Sequence, residues 1–340
     1  MTEHLNSSKG CLIVAALGVN HNGNVARARK MVDIAADSGC NAVSLPKRRP
    51  DETWTREVLD RKEPRFPELG PTLRAIWNRL DLDSQAFKQI RGQAQGHLRF
   101  IGEAYDIPSL EFLDAFEPDA LKIPAEANTD LALLQAVAQR GKPVLVSTAT
   151  LDTREVENLV QNLKGCSLTL LHGVASFPTP PEESQLQMIH WLRRFECPVG
   201  YEDYEDGILT APVAAALGAK VVQKLLTLDR CLPGFEHAFS AEPDELRRMV
   251  ESIRKVQQAV GGVVGKKLLP TEVDSFDNYR RSVVAAVDIP QGTVLTREML
   301  TAKAPLRGLT PHLIPDLIGK RVLYPIRKDD HITFGLVEMA

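Results

Sequence analysis

Eight short apolar runs, each followed by a longer stretch of helical periodicity, fill the chain from its N-terminus to about residue 262. They read CLIVAALG (11–18), NAVSL (41–45), RFIGEA (99–104), DALKIP (119–124), PVLVST (143–148), SLTLLHG (167–173), CPVGYE (197–202) and KVVQKLL (220–226). Runs of this length between helices predict repeated βα units and a parallel sheet. The intervening stretches, such as residues 25–39 and 153–165, are amphipathic and close on a glycine, the residue that most easily ends a helix. Eight strands and eight helices in about 250 residues fit a closed (β/α)8 TIM barrel better than an open doubly wound sheet. No G-x-G-x-x-G follows the first run, so the dinucleotide fingerprint is absent.

The barrel is expected to span residues 1–262. Residues 263–280, which include GKKLLPTEVDSFDNYR, are polar and uneven and read as a linker. Residues 281–340 give short strand-like runs broken by Pro-Gln-Gly and Lys-Asp-Asp, a small β-rich second domain. A chain of 340 residues, 44% hydrophobic, can bury one large core with enough left for such a module. The net charge of -3 is dispersed, with no basic block to track phosphates, so no nucleic-acid partner is expected. No apolar run reaches the ~18 residues of a membrane span, and the polar start MTEHLNSSKG has no signal-like core. Cys11, Cys40, Cys166, Cys197 and Cys231 are odd in number and widely spaced, which points to buried free thiols in a reducing compartment. A cytoplasmic protein is the expectation.

Several ordered blocks carry a resemblance. VNHNG (19–23), KIP (122–124), LLH and FPTP (170–180), GY-x-D (200–203), LTLDR-x-LPG (226–234) and EPDELRRMV (242–250) resemble the sialic acid synthases. VDIPQGTVLTREMLTAK (287–303) is similar to that family's antifreeze-like, or SAF, domain. The resemblance covers nearly the whole chain. It implies a (β/α)8 barrel with a C-terminal SAF domain, and homodimers in which that domain closes the partner's barrel mouth. The implied reaction condenses phosphoenolpyruvate with an N-acylated amino sugar, such as N-acetylmannosamine, using Mn2+ or Mg2+. Its product is a nine-carbon 2-keto acid made for nonulosonic acid or surface polysaccharide biosynthesis.

A barrel's chemistry lies at the C-terminal ends of its strands. There this chain departs from the family. The family's Ala-Glu-Ile-Gly is Ala15-Ala16-Leu17-Gly18, and Lys-Phe-Gln is Ser44-Leu45-Pro46, followed by Lys47, Arg48 and Arg49, which read as solvated loop charges. Ser-Thr-Pro-Phe-Asp becomes Gly102-Glu103-Ala104-Tyr105-Asp106, and the Ser-Gly-Glu after Lys122 becomes Ala125-Glu126-Ala127. Ser147 and Thr148 remain, as does His172, but Gly173-Val174-Ala175-Ser176-Phe177 replaces Cys-Thr-Ser-Glu-Tyr. Gly-Tyr-Ser-Asp-His is Gly200-Tyr201-Glu202-Asp203-Tyr204, and Glu-Lys-His-Phe-Thr is Gln223-Lys224-Leu225-Leu226-Thr227, which removes both metal imidazoles.

The polar groups left at the mouth are Asn20, His21, Lys122, Ser147, His172, Tyr201, Asp203, Lys224 and His237. Of these, His172, Asp203 and His237 are the candidate catalytic groups. Asn20, Lys122, Ser147, Tyr201 and Lys224, with Glu103 and Glu202, are the candidate substrate contacts. Arg307 is added because Ala304 stands where the family has the arginine that crosses the dimer. No residue is assigned to a metal: Glu202, Asp203, Glu205 and Asp206 could offer oxygen to Mg2+, but a run of four acids reads first as solvated, and Mg or Mn is expected only if the family chemistry is retained.

A carboxylate ~4 Å from an anion costs on the order of 4 kcal/mol at an effective dielectric of about 20. Glu103 and Glu202 stand where the family has neutral hydroxyls, and each exchange also deletes a hydrogen bond to charge of about 1.5–3 kcal/mol. The sum exceeds the ~8 kcal/mol of a micromolar ligand, so the two glutamates exclude phosphoenolpyruvate unless Lys122, Lys224 or the Lys47 cluster pairs with them. Three readings follow: the family synthase with ligands supplied from nearby, an enzyme diverged to a different, less anionic or even cationic substrate, or a non-catalytic partner of an active paralogue; the expected partner is a small-molecule sugar or keto-acid ligand.

Overall fold

A computed structural model describes residues 10–262 and 265–338. The polar start of the chain discussed above lies almost wholly outside them. The chain divides into two compact units, with the boundary after Gly262.

In the first unit eight parallel strands close on themselves in sequence order. They are β1 (Leu12–Ala16), β2 (Ala42–Lys47), β3 (Arg99–Ala104), β4 (Ala120–Ile123), β5 (Val144–Ser147), β6 (Leu168–His172), β7 (Val199–Asp203) and β8 (Val221–Leu225). β8 returns to β1 with Leu12 opposite Val221 and Ala16 opposite Leu225. Several of the connecting helices start on side-chain caps. Asn24 accepts from the Arg27 amide at 3.0 Å, and Asp152 and Glu155 form a reciprocal capping box. Gly39, at φ +81°, lets the chain turn back after the helix Val25–Asp37.

Strand side chains alternate, and the two faces separate the core into two layers. Leu12, Val14, Ala42, Ile101, Ala120, Leu145, Leu171 and Val221 point inward and plug the barrel floor. Their neighbours Ile13, Ala15, Val43, Leu45, Phe100, Leu121, Val146, Leu170, Tyr201 and Val222 point outward into the large core beneath the helices. This parity decides which strand-end residue meets the mouth.

The second unit holds the helix Val273–Tyr279 and an antiparallel pair, β9 (Ser282–Ala285) and β10 (Leu300–Lys303). Val283, Ala285, Ile289, Leu295, Leu317, Val322, Ile326 and Ile332 form its own core. Helix Val273–Tyr279 lies inside the stretch expected to be a linker. Among the described residues no helix is long and apolar enough to cross a membrane. All five cysteines are free, Cys11 and Cys40 buried but Cys231 exposed.

Candidate functional site

Above the floor, the inward row continues as Ala16, Ser44, Glu103, Lys122, Gln223 and Glu202, and a cavity of about 590 Å³ opens over it. That volume lies within the ~300–1,000 Å³ of small-molecule sites. At its centre the Lys122 ammonium lies 2.7 Å from Glu202 Oε1 and 3.3 Å from Glu103 Oε1. All three side chains are under a tenth exposed, so this is a buried triad with one positive and two negative charges. Burial pushes the Lys122 pKa down, and the fields and hydrogen bonds of the two glutamates more than reverse it, so the ammonium is held charged. The glutamates are therefore paired, but by a lysine whose charge they outnumber.

Tyr204 donates to Glu202 Oε1 at 3.4 Å, while Glu202 Oε2 and Gln223 Oε1 are buried with no hydrogen-bond partner among the described residues. Buried acceptors of this kind are rare and call for a donor.

The rim is aromatic. The guanidinium carbon of Arg48 sits 3.6 Å from the Tyr105 ring centre, 4.3 Å from Trp77 and 5.3 Å from Trp54. Trp77 stacks in turn on Phe235. Arg65 faces Phe66 and Phe235 while Glu63 holds it in a two-point pair. Glu236, on the loop after β8, accepts from the Val19 amide at 2.8 Å. Burial pushes its carboxyl up to about 7, against the pull of that amide and of Arg48. Gly18, at φ +50°, makes this approach possible, since a Cβ there would stand 2.0 Å from Glu236 Oε2.

Two expectations about charge are corrected by this geometry. Lys47 is not solvated: as an outward residue of β2 it is buried, pairs with Asp81 at 2.6 Å and lies 4.4 Å from the Phe112 ring centre. Arg48, one step on, takes the inward parity and enters the ring cage, while Arg49 is exposed as expected. Nor is the acidic run solvated. Glu202, Asp203 and Glu205 are buried, and only Asp206 is open to solvent.

The candidates divide along the same parity. Lys122 and Glu103 line the cavity and Glu202 joins them through the triad. Tyr201, Asp203 and Lys224 belong to the outward face. Lys224 lies 3.2 Å from Asp203 and donates to the Glu205 carbonyl at 2.5 Å, and Thr210 hydroxyl bonds both acids. Burial pushes the Asp203 carboxyl up and the Tyr201 phenol up. His172 faces outward and bonds the Ser184 carbonyl at 2.8 Å. His237 is held by Thr227 at 2.7 Å and Asn22 at 3.2 Å, and burial lowers its pKa to about 4, as it does that of His21. These rings are neutral at pH 7 and satisfied by their neighbours. Asn20 ties the Leu226 carbonyl to Ser240, and Ser147 Oγ accepts from the Ala149 amide. Arg307 is exposed in the second unit, its amide bonded to Ser282.

Arg65, Glu126, Glu236 and the rings of Trp54, Trp77, Phe177 and Phe239 were not singled out from the sequence, yet all line the cavity. Trp77 lies on the helix Leu73–Leu80 and the others on loops or short 3-10 turns, where no strand parity flags them. Strand parity was the available signal for the others.

A divalent ion does not fit this site. Tyr204 and Leu225, at the positions of the family's imidazoles, pack with Ala16 and Phe239 into a small apolar cluster. Among the described residues no three His, Cys, Asp or Glu side chains converge on one point. Hydrocarbon offers no ligand to Mn2+ or Mg2+.

Comparison with known proteins agrees with the geometry of the fold. The NeuB family matches residues 31–265 and the SAF domain residues 280–338. N-acetylneuraminate-9-phosphate synthase of Homo sapiens is 31% identical over 96% of this chain and 93% of its own. N,N'-diacetyllegionaminic acid synthase of Campylobacter jejuni is 31% identical over 95% of this chain and 99% of its own. The N-acetylneuraminic acid synthetase of Leptospira borgpetersenii, solved with citrate, superposes with a TM-score of 0.71 at 26% identity, covering 81% of this chain and 95% of that one.

Proposed function

Because the chain belongs to the NeuB family and carries its SAF domain, we propose that it is a divergent sialic-acid-synthase-like protein of nonulosonic acid or surface polysaccharide biosynthesis, whose barrel mouth takes a hydroxyl-rich ligand of low negative charge. The condensation of phosphoenolpyruvate with an amino sugar is the reaction of its relatives. Here the phosphoenolpyruvate and metal half of that site is the part given up. The observation that carries this reading is the triad: Lys122, the cation at the centre of the cavity, is already outnumbered by Glu103 and Glu202. A dianion entering there meets a net negative wall, at a cost on the order of 4 kcal/mol for each unpaired like charge ~4 Å away and an effective dielectric of about 20.

On this reading Lys122, Glu103 and Glu202 bind the ligand. Asn20, Ser147, Tyr201, Lys224, His172, Asp203 and His237 hold the loops and strand ends that shape the mouth. The protein acts in the cytoplasm as a homodimer, with the SAF domain over the neighbouring barrel, so that Arg307 of each copy is offered to the partner's mouth. The proposed domains are a barrel over residues 1–262, a linker over 263–280 and the SAF domain over 281–340. Purified protein incubated with phosphoenolpyruvate, Mn2+ and a panel of acylated hexosamines tests it by phosphate release. No release is expected, and turnover on any member of the panel would restore the family reaction.

The apolar cluster of Ala16, Tyr204, Leu225 and Phe239 favours a second reading, a non-catalytic barrel that retains the dimer and binds an active paralogue. Recovery from source cells as a homodimer with no associated synthase argues against it.

A further inference from the structure

The cations of the barrel are not equivalent. Lys122 is offset by two carboxylates, Arg65 by Glu63, Lys47 by Asp81 and Lys224 by Asp203. Arg48 lines the cavity and, among the described residues, makes no ion pair, and its Nε is buried without a hydrogen-bond partner. Three aromatic rings hold it in place. Rings attract a guanidinium through their quadrupole but do not neutralise it, and a guanidinium set against rings keeps its edge of N–H donors for another partner. The acids that share the cavity with it are Glu103, Glu126 and Glu236. Glu103 is committed to Lys122, and Glu236 is half protonated near neutral pH. The other wall presents Glu103 and Gln223, whose Oε1 is a buried acceptor lacking a donor among the described residues. A ligand that satisfies both walls carries one negative charge at one end and hydroxyl or amide N–H donors at the other.

We infer that Arg48 is a carboxylate anchor and that the cavity binds a polyhydroxylated monocarboxylate, a sugar acid, with its acid group on the Arg48 guanidinium and its hydroxyls toward Glu103 and Gln223. Arginine suits the task because its planar fork meets a carboxylate at two points. This inference rests on the reading that a dianion and a metal are not the ligands, and it names what replaces them.

Calorimetric titration of the intact protein with N-acetylneuraminate, a nine-carbon sugar acid, and with N-acetylmannosamine, a sugar without the acid group, tests it. The acid is expected to bind wild type more tightly than the neutral sugar. Arg48→Gln should weaken the acid about tenfold to a hundredfold, the equivalent of one charge-assisted hydrogen-bond pair, and leave the neutral sugar unchanged. Arg48→Lys, which keeps the charge without the fork, should recover only part of the loss, and wild-type-like melting of both variants shows that the fold is kept. Equal affinity of the acid for wild type and Arg48→Gln, or no binding of the acid by folded wild type, overturns the anchor. Phosphate release from phosphoenolpyruvate by wild type, with the Arg48 contrast intact, would strike the broader reading and leave the anchor standing.

Discussion

The two sides of the barrel mouth have diverged in opposite directions. Around β1, β7 and β8 the strand ends close over with hydrocarbon: Ala16, Tyr204, Leu225 and Phe239 pack where a family member holds its ion. Around β2, β3 and β4 the mouth stays polar, but its charges are rearranged into the caged Arg48 and the Lys122–Glu103 pair, to which β7 adds Glu202 from the base of the other side. The contrast teaches that a fold can keep its cavity while exchanging the chemistry of the wall, since the packing of the floor and outer layers does not depend on what the mouth binds.

The largest expected effect falls on the polar side. Lys122→Met leaves two buried carboxylates without a cation and should cost about 3–5 kcal/mol of unfolding free energy at pH 7. Urea denaturation of wild type and variant at pH 7 checks this. A cost below ~1 kcal/mol at pH 7 would mean that the triad is not the electrostatic centre of the site. On the apolar side, Leu225→Ala should cost about 2–4 kcal/mol through the cavity it opens. Mn2+ should shift the melting temperature of neither wild type nor this variant, and a metal-dependent rise in wild type would break the contrast between the two sides.

Glu236, on the loop after β8, gives the mouth a pH signature. Its folded pKa, about 7, lies above the 4.5 of the free side chain, so the folded state holds the extra proton between those values. Its contribution is intact below pH 4.5 and lost as pH rises through about 7, with a limit of ~3 kcal/mol that its partial exposure reduces. Glu236→Gln should therefore flatten the fall in stability between about pH 5 and 7, measured by denaturant midpoints across that window. The smallest effect is expected outside the mouth. Asp206, exposed beside Arg230, should lose less than ~1 kcal/mol on change to Asn in the same denaturation assay.

The strands were legible because each is a run of apolar residues that must be buried on both faces. Their ends moved little: the run at 99–104 is β3 itself, and 143–148 shortens to Val144–Ser147. The mouth was legible in part. The triad's members were visible as strand-end substitutions, but their mutual pairing depends on register, with Glu103 opposite Lys122 and Glu202 opposite Gln223. Lys47 and Arg48 were misread because β2 runs two residues past the expected run, and adjacent residues of a strand face opposite ways. The ring cage was invisible for a different reason. Trp54, Trp77 and Tyr105 come from separate segments with no shared spacing, and only the closed barrel brings them together.

That cage has a practical consequence. Of the chain's three tryptophans, Trp54 and Trp77 flank Arg48, and the third, Trp191, packs beside Phe195 on the helix Met188–Leu192. Two of the three indoles therefore stand where a ligand would enter, so occupancy of the mouth should change intrinsic emission and can be followed without a label.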